Sequence, residues 1–389
     1  MSFQWSWMVV STCSGIKRLV VTMKLTDRKW KSFDAFGENG LFDIHTTSSG
    51  IDKNKLVSDN NDNNTAPYVT RSGGANGVAG FVDPKNYKYG FDPANVITIG
   101  LDTQTAFYQP HKFITGQNIH VITGEKLTPL VIQFLLPLFR TQMVAKFNWG
   151  GNGATLSRMK RLRLMLPIDD NGQPDYDFMS DYEQELLEKK KNYYLKYVHS
   201  VLAKLEYVKI QPLSNLQWRT FRIDDLFESV TRPPARSKNK YDEGDIPFIA
   251  SGASLNGSVK FCRPHENEVP DASNCITVSP VDGSSFYQST EFLGRGGGGS
   301  SIIMLRSQRL NKYNGIFMAR AINNTTSKYQ YGHMATSDGI KRDRVLLPID
   351  AQGQPDYDYM EQYVKNKMIQ KYNHYLKYLN ESVIGSNKL

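Results

Sequence analysis

The chain has 389 residues, 40% of them hydrophobic, with 21 Tyr and 19 Phe, which allows two or three well-cored domains and excludes a disordered chain. Lys and Arg number 47 against 38 Asp and Glu, a formal charge of +9 that favours polyanions, nucleic acid first and anionic membrane second. The cysteines Cys13, Cys262 and Cys275 are odd in number and form no C-x-x-C pair, which excludes a disulfide scaffold or thiolate zinc site and points to a reducing cytoplasm.

No run of about 18 apolar residues occurs, so no membrane span is expected. Residues 1–22 make a poor signal peptide, and Met23-Lys-Leu-Thr reads as a natural beginning; 1–22 are expected to be a loose tail or a mis-assigned start. From there to residue 173 the chain reads as a mixed, strand-rich domain. Trp30-Lys-Ser-Phe33 opens it, Asn76-Gly77 marks a turn, and Asn95–Ile99 is a β-branched strand. Leu127–Phe139 is apolar and helical in character, but Pro137 should end or kink it. Residues 174–209 follow as a long helix. Pro174 suits its first turn, and Asp175 and Asp177 place negative charge at the positive end of its dipole.

The same order then recurs. Trp218-Arg-Thr-Phe221 echoes the opening, and Phe248–Gly257 parallels Tyr68–Gly77. Cys275–Val278 parallels Val96–Ile99, and Phe286-Tyr-Gln288 repeats Phe107-Tyr-Gln109. Gly315–Ala321 stands where the apolar helix stood, and Lys341-Arg342 repeats Lys160-Arg161. LPIDDNGQPDYDFM (Leu166–Met179) returns as LPIDAQGQPDYDYM (Leu347–Met360), identical at eleven of fourteen positions and offset by 181. The chain is therefore one unit duplicated, with a second domain over 210–354 and a second helix with a C-terminal tail over 355–389. This period is too long for a solenoid and implies a pseudo-twofold molecule.

Apolar stripes run along both helices: Met179, Tyr182, Leu186, Tyr193, Tyr197, Val201 and Leu205, then Met360, Tyr363, Met368, Tyr372, Leu376, Leu379 and Val383. Each helix spans about 30 residues, roughly 45 Å, longer than a small domain needs. The two are expected to pack on each other as an antiparallel coiled coil.

Catalytic signatures are scarce. No G-x-x-x-x-G-K-[ST], G-x-S-x-G, H-E-x-x-H or amino-methyltransferase motif occurs. Pro174-Asp175 with Glu188-Lys189-Lys190 spells the acid pair and lysine of metal-dependent nucleases. All five fall along one expected helix, however, so the carboxylates cannot converge on a metal. Arg295-Gly-Gly-Gly-Gly-Ser300 reads either as a loop approaching a phosphate backbone or as a mobile loop. The candidate DNA-binding residues are Lys53, Lys55, Arg71, Asn76, Arg158, Lys160 and Arg161 in the first copy. In the second they are Arg232, Arg236, Lys238, Asn256, Arg295, Lys341 and Arg342. Basic side chains contact phosphates, while Arg, Asn and Gln can also read base edges.

Two unlike domains, each running through LPID…GQPDY…M into a long helix, resemble the specificity subunits of type I restriction–modification systems. They are especially similar to those that partner a fused restriction–methylation subunit. The resemblance covers residues 27–384 and rests on the order of parts, with Trp218–Phe227 and Trp30–Ile44 resembling the strand that opens a target recognition domain. It implies a non-catalytic reader in which each recognition domain binds one half of a bipartite site in double-stranded DNA. The helix pair would set the gap and dock methyltransferase subunits. S-adenosylmethionine, with ATP and Mg in some systems, would reside on those partners and on a restriction or fused subunit, with no cofactor here and no membrane. A carbohydrate-binding or structural interaction protein, and a stand-alone nuclease or methyltransferase, are the competing readings.

Overall fold

A computed structural model describes residues 23–57, 64–147 and 153–385, with side chains through residue 380. The expected tail, 1–22, lies outside these residues. The chain forms two compact units that divide between Tyr193 and Tyr194.

The first unit holds β1 (Trp30–Asp34), β2 (Asp43–Thr46), β3 (Ala66–Val69), β4 (Val78–Val82), β5 (Val96–Gly100), β6 (Ala106–Gln109), β7 (Ile114–Thr115) and β8 (Ile119–Thr123). Then come α1 (Pro129–Lys146), α2 (Leu156–Met159), β9 (Arg163–Pro167) and α3 (Tyr176–Leu202), whose last turns belong to the second unit. The second unit continues with β10 (Trp218–Arg222), the one-turn α4 (Ile223–Leu226), β11 (Ser229–Thr231), β12 (Glu243–Ile249), β13 (Ser258–Cys262), β14 (Cys275–Val278), β15 (Ser285–Gln288), β16 (Leu293–Gly294) and β17 (Ile303–Arg306). It closes with α5 (Lys312–Thr326), α6 (Ser337–Arg342), β18 (Arg344–Pro348) and α7 (Tyr357–Gly385).

Both units repeat one topology. The sheet β2-β8-β5-β6 has its counterpart in β11-β17-β14-β15, and β4-β3-β7 in β13-β12-β16. In each three-stranded sheet the short third strand runs parallel to its neighbour. The antiparallel pair β1–β9 returns as β10–β18, with Trp30 opposite Pro167 and Trp218 opposite Pro348. Of the helices, only α4 lacks a partner in the first unit.

The core of each unit forms where an apolar helix covers the four-stranded sheet. Ile97, Ile99 and Ile122 meet Leu135, Phe139 and Met143 of α1, while Ile276, Val278 and Ile303 meet Met318 and Ile322 of α5. Gly315 permits that second contact: a Cβ there would sit 2.4 Å from the Tyr287 ring. Pro137 does not end α1, which runs through it to Lys146. An interior proline costs about 3 kcal/mol. Burying Leu135, Leu136, Phe139 and Met143 around it contributes about 1.5–3 kcal/mol each, which outweighs that cost.

The helix boundaries also shift. α3 starts at Tyr176 and ends at Leu202, not near 209. Beyond it the chain is pinned as a non-helical strap along α7: Asn366 bonds both the N–H and the carbonyl of Val208, and the Gln362 amide donates to the Glu206 carbonyl. The last turns of α3 pack antiparallel on α7, as expected. Tyr194 meets Tyr375 edge-on at 5.0 Å between ring centroids, and Tyr197 meets Tyr372 at 6.5 Å. Met360 is fully buried and Tyr363, Met368, Tyr372 and Leu376 are half-buried, in line with the expected stripe. Tyr193 is not in it; it is 79% exposed, and Tyr194 and the buried Val198 take its place. Met179 lies in the first domain's core and Tyr182 packs against it, while Leu186 is half-buried.

Candidate nucleic-acid interface

The repeated fourteen residues fold into the same joint twice, and its carboxylates have local work. Asp169 Oδ1 accepts the N–H groups of Asn171 and Gln173, both at 2.9 Å, and Asp350 Oδ1 does the same for Gln352 and Gln354. Gly172 and Gly353 supply the left-handed residue of each turn, at φ 73° and 74°. Pro174 and Pro355 bridge back to Ile168 and Ile349, ahead of the helix rather than in its first turn. Asp175 and Asp356 are the N-caps, accepting the N–H of Phe178 at 2.8 Å and of Tyr359 at 2.9 Å. Above each cap, Phe134 stands edge-on to Tyr182 and Phe317 to Tyr363. Glu188 lies thirteen residues beyond Asp175, roughly 20 Å along the axis, and accepts from Gln184. The nuclease-like acid pair therefore does not meet. Among the described residues no group of three or more His, Cys, Asp or Glu could hold a metal. Burial pushes the Cys275 thiol up to about 12 and raises that of Cys262, so neither is a nucleophile at neutral pH.

The basic candidates divide into two groups. Arg236, expected on the DNA surface, is buried: Nε donates to Glu268 at 2.6 Å, Nη1 to Asp271 at 2.7 Å and Nη2 to the Val269 carbonyl. Burial raises the Glu268 pKa, but Arg236, the His265 N–H and the Tyr241 hydroxyl outweigh this and hold its carboxyl below the usual range. Arg232 spends its guanidinium on the carbonyls of Gly298, Gly299, Ser301 and Ala335. It thereby pins the glycine run. A Cβ at Gly296 would lie 1.9 Å from the Pro234 carbonyl, so the run needs glycine for close packing. Arg71 is ion-paired with Asp102. Arg232 and Arg236 are structural because their partners, distant in sequence, already fill the fork geometry of the guanidinium, whereas half-exposed Arg71 engages Asp102 through Nη1 alone.

The second group faces solvent. Lys53 and Lys55 lie on one exposed 3-10 turn, and Lys238 on another. Arg295 is exposed at the foot of the glycine run. Arg158, Lys160 and Arg161 sit at the end of α2, and Lys341 and Arg342 in the last turn of α6. Arg158 also donates to the Gly153 carbonyl, and Lys341 is held loosely by Asp338 at 3.4 Å.

Asn76 and Asn256, listed as base-reading candidates, are turn formers. Each is exposed but takes a left-handed conformation, at φ 57° and 56°, in the loop joining β3 to β4 or β12 to β13. Beneath each loop lies a buried network that sequence reading saw only as separate landmarks. Gln109 Nε2 donates to the Asn76 carbonyl and to Thr98 Oγ1, both at 3.0 Å. Gln288 Nε2 donates to the Asn256 carbonyl at 3.1 Å and to Thr277 Oγ1 at 2.9 Å. The Asn76 and Asn256 side chains in turn donate to the carbonyls of Tyr108 and Tyr287. Gln109, Gln288, Thr98 and Thr277 are each at most 4% exposed.

Two exposed cations escaped the sequence reading. Lys312 and Arg320, with Ile316 and Asn323, line an open cleft of about 540 Å³ between α5 and β15, with Asn256 at its rim. The signal was their 4-4-3 spacing along α5, which puts all four on one face.

The family of the type I restriction modification DNA specificity domain matches this chain twice, over residues 37–195 and 215–377. Each match spans one β-rich domain and runs into its long helix. A curated relative, the BgcI type II restriction enzyme specificity subunit S.BcgI of Heyndrickxia coagulans, is 28% identical over 348 residues, 87% of this chain and 96% of its own. Among solved structures, a type I restriction–modification S subunit from M. genitalium aligns over 94% of this chain and 96% of that one, at 15% identity and a TM-score of 0.44. The HsdS subunit from Thermoanaerobacter tengcongensis aligns over 89% and 90%, at 13% identity and a TM-score of 0.28. Among the described residues no helix is long and apolar enough to cross a membrane. The chain belongs to the restriction–modification DNA-specificity family, as a specificity subunit that carries the domain twice.

Proposed function

We propose that each recognition domain reads one half of a bipartite site in double-stranded DNA and that the long helices set the gap between the halves. The observation that carries this is the duplicated joint: two domains that differ elsewhere end in the same turn, cap and helix start. The helix pair is also the dock for methyltransferase subunits, which carry S-adenosylmethionine and, where the system uses them, ATP and Mg. The chain itself contributes recognition and no catalytic group. The curated relative is named as part of a type II restriction enzyme, and this favours a fused restriction–methylation subunit as the partner.

The test inserts four residues, roughly 6 Å of rise, into both helices of the assembled complex and maps methylated sites across a genome. A changed gap with unchanged half-sites is expected; an unchanged gap refutes the ruler role. The purified chain with magnesium, labelled cofactor and DNA should neither cut nor methylate. Its DNA binding should weaken steeply with salt. Activity without a partner, or binding indifferent to salt, refutes the reading.

A further inference from the structure

The two eight-residue loops that top the three-stranded sheets, 70–77 and 250–257, have one backbone and two sequences. Ala75, Asn76 and Gly77 lie at φ 48°, 57° and 77°; Leu255, Asn256 and Gly257 lie at 49°, 56° and 76°. Thr70 N–H closes on the Gly77 carbonyl at 2.7 Å, and Ala250 N–H on that of Gly257 at 2.9 Å. Everything beneath the loops is shared: the buried Thr, the buried Gln, and the Asn-Gly they hold. In the rest of each loop nothing is: the first carries Arg-Ser-Gly-Gly-Ala over 71–75, exposed from Ser72, and the second Ser-Gly-Ala-Ser-Leu over 251–255, exposed from Ala253.

A loop kept only for its shape would not put leucine at the apex. Leu255 is 82% exposed and left-handed, a conformation that bulky residues avoid. Folding alone thus gives no reason for the side chain. The loop is a two-stranded antiparallel hairpin tip, which the major groove, about 12 Å wide, admits. Beside it lies the cleft bearing Lys312 and Arg320, cations placed to meet phosphates when the tip enters a groove.

We propose that these two loops are the base-reading tips of the two domains, and that Leu255 is a specificity-determining residue contacting a thymine 5-methyl group in the second half-site. The assignment rests on the DNA-reading function proposed above. Leucine has no hydrogen bond to offer, and the thymine methyl is the one apolar feature on a major-groove edge. Ala75, at the same position in the first domain, is too short for the same reach. Gln288, buried, and Asn256, exposed, are positioning residues: they hold the tip and touch no base.

The experiment uses the complete restriction–methylation complex, wild type and Leu255→Ala, with its native site first defined by genome-wide methylation mapping. Binding is then measured to duplexes in which each thymine of the second half-site is replaced in turn by uracil, which deletes only the methyl. At one position uracil should weaken the wild type at least about fivefold, the scale of a single mismatched pair, and leave L255A unaffected. Methylation by L255A should relax at that same pair, with the first half-site and the gap intact. If no uracil position separates the two proteins, or if L255A keeps the full motif, the assignment falls. Were L255A to melt lower than wild type, the uracil scan on the wild type decides alone, and no sensitive position refutes the contact. Wild-type complex that shows no salt-dependent DNA binding refutes the underlying function instead, so the two failures are distinguishable.

Discussion

Replacing Arg236 by methionine removes a guanidinium and keeps most of its volume. The side chain is 5% exposed, and the Glu268 and Asp271 side chains facing it are 18% and 10% exposed. Breaking one side of a buried ion pair costs about 3–5 kcal/mol, because the remaining charge is stranded. Here Glu268 keeps the Tyr241 hydroxyl and the His265 N–H, and Asp271 keeps the Gly294 N–H, so the cost falls near the lower end, about 3 kcal/mol. For a unit of this size Tm falls roughly 2–4 °C per kcal/mol, hence about 6–12 °C for the second unit in calorimetry at pH 7. The pH dependence has a defined sign. Glu268's folded pKa is depressed, so its contribution is present above the unfolded value, about 4.3, and is lost as pH falls through the folded one. Arg236→Met removes the principal favourable partner behind that depression, so the gap between variant and wild type should narrow as pH drops below about 4.3. Adding Glu268→Gln and Asp271→Asn should recover most of the lost stability. DNA affinity measured below both transitions should be unchanged. A Tm within about 2 °C of wild type, with a salt slope shallower by about 1, would make Arg236 a phosphate contact and refute the structural role.

Neutralising Lys341 and Arg342 to glutamine should weaken binding to all sequences alike and lower the salt slope by about 0.9 per lost contact; a loss confined to one base pair contradicts a phosphate role. Asp356→Ala removes the N-cap of α7 and should cost about 1 kcal/mol in thermal unfolding, while methylation per bound complex stays constant. Gln288→Ala leaves the Asn256 carbonyl and the Thr277 hydroxyl without their amide partner; denaturant titration should show a loss of about 1–3 kcal/mol. Tyr329, buried and donating to Asp343, has its phenol pushed up to about 12. That raised value stabilises the fold up to the unfolded pKa, about 10, and the gain is lost as pH climbs from there toward 12; phenolate absorbance during alkaline unfolding should show it, and early titration of this residue would refute it.

What the sequence disclosed was local or repeated. Pro, Gly and Asp at fixed offsets dictate the turn and cap of the joint, and the second copy doubled the signal. Asn-Gly gave both hairpin tips for the same reason. The roles of arginine were hidden because they depend on distant partners: Arg236 meets Glu268 and Asp271 over thirty residues away, and Arg232 meets carbonyls from Gly298 to Ala335. Nothing adjacent to either residue records that. The Tyr193 misassignment arose because adjacent tyrosines serve an apolar stripe equally well by period alone, and only the meeting of Tyr194 with Tyr375 decides between them. The Thr–Gln–Asn network spans three strand regions, so its members read as isolated echoes until the fold joined them.

The bonds named for each joint lie almost wholly within its own stretch, from Asp169 to Phe178 and from Asp350 to Tyr359. No side chain among them reaches into the 70–77 or 250–257 loop. Outside that stretch it touches its own domain's entry segment: Arg28 pairs with Asp175 at 2.8 Å, and Arg219 donates to the Gly353 carbonyl at 3.2 Å. For engineering, this makes it a natural seam. A reader moved together with its opening strand, β1 or β10, should graft onto the other helix without a new linker having to be invented.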